Sequence, residues 1–73
     1  MNRIEHEILT ILKMVDTAMF CSDPVELDRV CYFVVEAMRH KDMVDAKPVS
    51  RGLLKVALVK LQGHRRDVYE ALR

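Results

Sequence analysis

Apolar positions recur at helical spacing along most of this 73-residue chain. Near the start, Ile4, Ile8, Ile11, Leu12, Val15, Ala18 and Met19 fall on one stripe, with His6, Thr10, Lys13 and Thr17 on the back. This predicts a first helix over about residues 3–21. Asn2 followed by Glu5 has the spacing of a capping box. The run Cys-Ser-Asp-Pro (21–24) then breaks the pattern. Asp23 suits a helix cap and Pro24 suits a first helical position, where its missing N–H was unpaired in any case. Glu26 completes the spacing of a second capping box. A second helix follows, from Pro24 to His40 or Asp42, with Leu27, Val30, Cys31, Val34, Val35, Ala37 and Met38 toward the core. Phe33 and Tyr32 flank that face on opposite sides, so the apolar arc is wider than one neighbouring helix needs.

The period is lost from Lys41 to Pro48, and a proline disfavours helix in the residue before it, so a loop is expected at about 42–48. The longest stretch, Val49 to Arg73, is organised around a third stripe: Leu53, Leu54, Ala57, Leu58, Leu61, Val68 and Leu72. Arg51, Lys55, Gln62, Arg66 and Arg73 occupy the opposite side, and the apolar phase survives Gly63, where a kink is allowed. No stretch alternates at period two long enough for a strand. The expected architecture is all-α: one domain over residues 1–73, a small up-down-up three-helix bundle with a long C-terminal helix.

Length alters that picture. A core this small is marginal on its own, because chains below about 70–80 residues usually need a disulfide, a metal or a partner subunit. The sequence carries surplus apolar residues that could supply the partner surface: Leu9, Phe20, Tyr32, Phe33, Val56 and Val59. A homodimer is therefore expected to complete the bundle. Charge points the same way. The net charge is only +1, yet residues 1–38 carry three basic against seven acidic residues (−4) and residues 39–73 nine against four (+5). Such halves can attract each other within a chain or between copies, and the basic half can also attract a polyanion.

Candidate chemistry is sparse. His6, His40 and His64 with Cys21 and Cys31 show neither Cys-x-x-Cys nor His-x-x-x-His spacing, so no metal site is expected. An intrachain disulfide is not expected either. Cys31 lies about seven residues beyond the turn beside Cys21, roughly 10 Å along a helix axis, whereas disulfides want α-carbons within about 7 Å. There is no phosphate-binding glycine loop, no nucleophile elbow and no converging carboxylate pair, so neither catalytic residues nor a cofactor are assigned. The basic side of the last helix, with Lys47, Arg51, Lys55, Gln62, Arg66 and Arg73, could contact nucleic-acid phosphates. A helix-turn-helix fits poorly, since about seven residues including Pro48 replace the usual turn of about three or four.

The sequence thus leads to a non-enzymatic regulatory or adaptor protein that self-associates and binds another protein, with a nucleic-acid-binding regulator as the alternative. No signal peptide is expected, because acidic residues sit in the first helix, and no apolar run approaches the roughly 18 residues of a membrane span. A cytoplasmic location follows, with both cysteines reduced.

Overall fold

The computed structural model describes residues 3–73, and over these the chain is all-α. Helix α1 spans Arg3–Cys21, α2 spans Pro24–Arg39 and α3 spans Pro48–Ala71, with a 3-10 segment at Lys41–Asp45. Each helix packs on the other two. The 24 residues of α3 against 16 in α2 make the molecule an elongated 42 × 17 × 17 Å.

The core is set by the central residues of each stripe. Leu27, Val34, Leu54 and Leu61 are 0% exposed and Ile11 is 6% exposed, and these five are the positions at which periodicity centres each helix. Ile8, Val15, Ala18 and Val30 complete the helical part, and Ala46 closes it from the connection before α3. Two residues of the expected third stripe lie elsewhere. Leu53 is 51% exposed because it stands about 100° around the helix from Leu54. Leu72 keeps the phase of Leu54 and Leu61 but is 66% exposed, since it follows the end of the one helix longer than its neighbours. The helix runs unbroken through Gly63, where an added Cβ would meet nothing.

The connections are built from side-chain caps. Asp23 accepts a hydrogen bond from Val25 N at 2.9 Å, as a cap should, while Glu26 pairs with Arg29 instead of closing a capping box. Before it, Ser22 has φ 55°, the left-handed conformation that ends helices. Its hydroxyl donates to Met19 O at 3.1 Å, which leaves His64 Nε2 as the donor in the 2.9 Å bond between them. The expected loop at 42–48 holds the 3-10 segment instead, because His40 ends α2 and turns its Nδ1 to accept from Asp42 N at 3.2 Å. Of the first capping box, Asn2 lies outside the described residues, and Glu5 reaches a different helix: its carboxylate accepts from Lys47 N at 2.9 Å and from the Ser50 hydroxyl.

Candidate functional site

Two neighbouring grooves, which share His40 and Met43, hold some of the residues singled out from the sequence. The first is the groove between α1 and α2. Its walls are turned inward by the helical periods themselves: Ile4, Ile11 and Met14 from α1, Ala37 from α2, and Met43 from the 3-10 segment. Phe33 stands in it, 48% exposed. The groove encloses about 570 Å³ and is rimmed by Arg3, Glu7, Glu36 and Asp42. Arg3 is bound to Glu7 at 3.1 Å across one turn of α1.

The other expected partner residues are exposed too, but outside this groove. Leu9 (45%) and Phe20 (92%) share a line on α1 away from the core, and Tyr32 (70%) lies on the back of α2. Val56 and Val59 are exposed on α3. Periodicity did not mark Val49 and Leu53 as surface residues, yet both are exposed, and with Val56 they occupy i, i+4 and i+7 on one face of α3. The structure thus divides the six expected residues among separate faces and places only Phe33 in a concave site.

The second surface is basic. The expected stripe along α3 is divided in two. Arg51 and Lys55 join Arg39, His40 and Lys41 around a groove at the corner of α2, the 3-10 segment and α3. Gln62, Arg66 and Arg73 lie at the other end of α3, around a hollow they share with Arg65 and Tyr69. Lys47 is exposed at the N-cap of α3, beside Glu5. Arg51 departs from its expected place on the outer side: it is half-buried, and its Nε is buried without a hydrogen-bond partner. It stands only about 60° around the helix from Leu54, and it lines the corner with α2 and the 3-10 segment. Sequence reading missed Arg39, His40 and Lys41, because they belong to a different helix end and converge only in the folded chain.

Polar contacts between helices are few and local. Asp28 on α2 accepts from Tyr69 Oη at 2.7 Å and from Arg65 Nε, and the Arg65 guanidinium lies 5.0 Å from the Tyr69 ring centre. The hydrogen bond from Tyr69, then that from Arg65, holds the Asp28 carboxyl below its ordinary range; Asp28 in turn raises Arg65 and Tyr69. Glu5 is likewise held low, first by Lys47 N–H and then by Ser50. These groups lie at the surface, partly exposed and paired, which marks them as clasps between helices. Among the described residues no group of three or more His, Cys, Asp or Glu could hold a metal ion, and both cysteines are free thiols.

No protein-family model, curated protein or solved structure matches the chain.

Proposed function

We propose that this protein is a non-enzymatic adaptor that works as a homodimer, in which two up-down-up bundles meet through their α1–α2 grooves. One observation carries the reading: an aromatic ring, Phe33, stands half-exposed in a groove walled by Ile4, Ile11, Met14, Ala37 and Met43. Twelve large hydrophobic residues are exposed among the described residues, against eight buried ones. That balance favours covering some of them, because isolated exposed apolar side chains are ordinary but contiguous ones mark interaction sites. The up-down-up order is supported by the clasps: Glu5 at the start of α1 meets the start of α3, while Asp28 near the start of α2 meets Arg65 and Tyr69 toward the end of α3.

A two-fold dimer places each Phe33 against the partner's methionines. The face carrying Val49, Leu53 and Val56 then remains outside the dimer for a second protein, the regulated partner. Two free thiols and the lack, among the described residues, of a helix able to cross a membrane support a place in the reducing cytosol. Thermal melting over a hundredfold range of protein concentration tests the dimer. Association coupled to folding makes the melting temperature rise with concentration; a constant value contradicts it.

A further inference from the structure

We infer that the basic groove at the corner of α2, the 3-10 segment and α3 is a binding site for a small phosphate monoester, next to the self-association groove, with which it shares His40 and Met43. The groove encloses about 550 Å³, within the range of small-molecule sites. Arg39, His40, Lys41, Arg51 and Lys55 line it and no carboxylate does, in a chain whose Lys and Arg total 12 against 11 Asp and Glu. Two of the lining residues already have an acid beside them. Glu36 lies 3.8 Å from Arg39 and Asp42 lies 3.6 Å from His40, and both belong to the rim of the α1–α2 groove. Among the described residues Lys41, Arg51 and Lys55 have no ion pair.

The chemistry of the donors selects the ligand. Arg51 Nε is buried and has no hydrogen-bond partner, which is costly for a charged group. Arg51 lines the groove, and its guanidinium is a fork suited to two oxygens of one oxyanion. His40 Nδ1 accepts from Asp42 N, so the neutral ring carries its hydrogen on Nε2 and adds another donor. A carboxylate offers two oxygens and one charge to this set. A phosphate monoester offers three terminal oxygens and about −1.5 to −2 charges at neutral pH, a closer match to four permanent cations. Met38, Met43 and Val44 supply an apolar wall, which inorganic phosphate would leave uncovered and an organic ester would use.

Amide-resolved NMR titrations with phenyl phosphate, benzoate and inorganic phosphate test the assignment. Phenyl phosphate should shift the amides of residues 39–43 and 51–55 saturably, and bind about tenfold more tightly than either other probe. Arg51→Gln and Lys55→Gln should each weaken it about tenfold. Lys55 is exposed, so its replacement leaves the fold intact. Equal binding of benzoate, or unchanged affinity in Lys55→Gln, would overturn the proposal. So would an oligonucleotide that binds more tightly and also shifts Arg66 and Arg73, which would make the basic surface a nucleic-acid site.

Discussion

Glu5 and Lys47, 42 positions apart, are joined by a 2.9 Å hydrogen bond from the backbone N–H of Lys47 to the Glu5 carboxylate. Lys47 is the N-cap of α3 and provides no side-chain cap of its own. The first turn of one helix therefore caps another, and the same carboxylate also takes the Ser50 hydroxyl. An anion at a helix N-terminus is favoured by the free N–H groups there and by the helix dipole.

This clasp and the one at Asp28 make stability depend on acid. Both carboxyls bind protons more weakly in the folded chain than in the unfolded one. Their contribution is therefore complete above the ordinary values, 4.5 for Glu5 and 3.8 for Asp28, and is lost as pH falls through the lowered folded values. Melting temperatures measured from neutral pH downward should begin to drop near those values. Glu5→Gln with Asp28→Asn should be less stable at neutral pH and should flatten the acid limb; an unchanged limb would show that neither clasp matters.

The core makes a sharper contrast between two leucines of α3. Leu61→Ala should cost about 2–5 kcal/mol, because a fully buried leucine leaves a cavity. Leu53→Ala should stay within about 0.5 kcal/mol, as exposed positions do. Denaturant melts of the two variants check this, and similar losses would contradict the placement of α3.

That contrast also shows where periodicity fails. The helix boundaries and the five central core residues were readable, since burial on one side repeats every 3.6 residues. Leu53 and Leu72 were misplaced because a stripe has no sharp edge and does not reveal where the neighbouring helices stop. The basic groove was half-visible: Arg51 and Lys55 share a helix face, whereas Arg39, His40 and Lys41 join them only through the turn after α2. Glu5 had the right chemistry, an acid at a helix start, with its larger role on a helix that sequence spacing cannot connect to it.

The turn between α1 and α2 offers a third test. Asp23→Ala removes the hydrogen bond to Val25 N and should destabilise by about 1 kcal/mol. Pro24→Ala should do far less, since proline at the first helical position chiefly pre-sets φ. Chemical denaturation ranks the two, and the reverse order would move the start of α2.

Self-association is the central claim, and light scattering coupled to size-exclusion chromatography at micromolar concentration tests it most directly. The chain has a mass of 8.5 kDa. The account predicts twice that mass for the wild type, and the single-chain mass for Phe33→Asp with its helical circular dichroism retained. A wild-type mass of 8.5 kDa would contradict it.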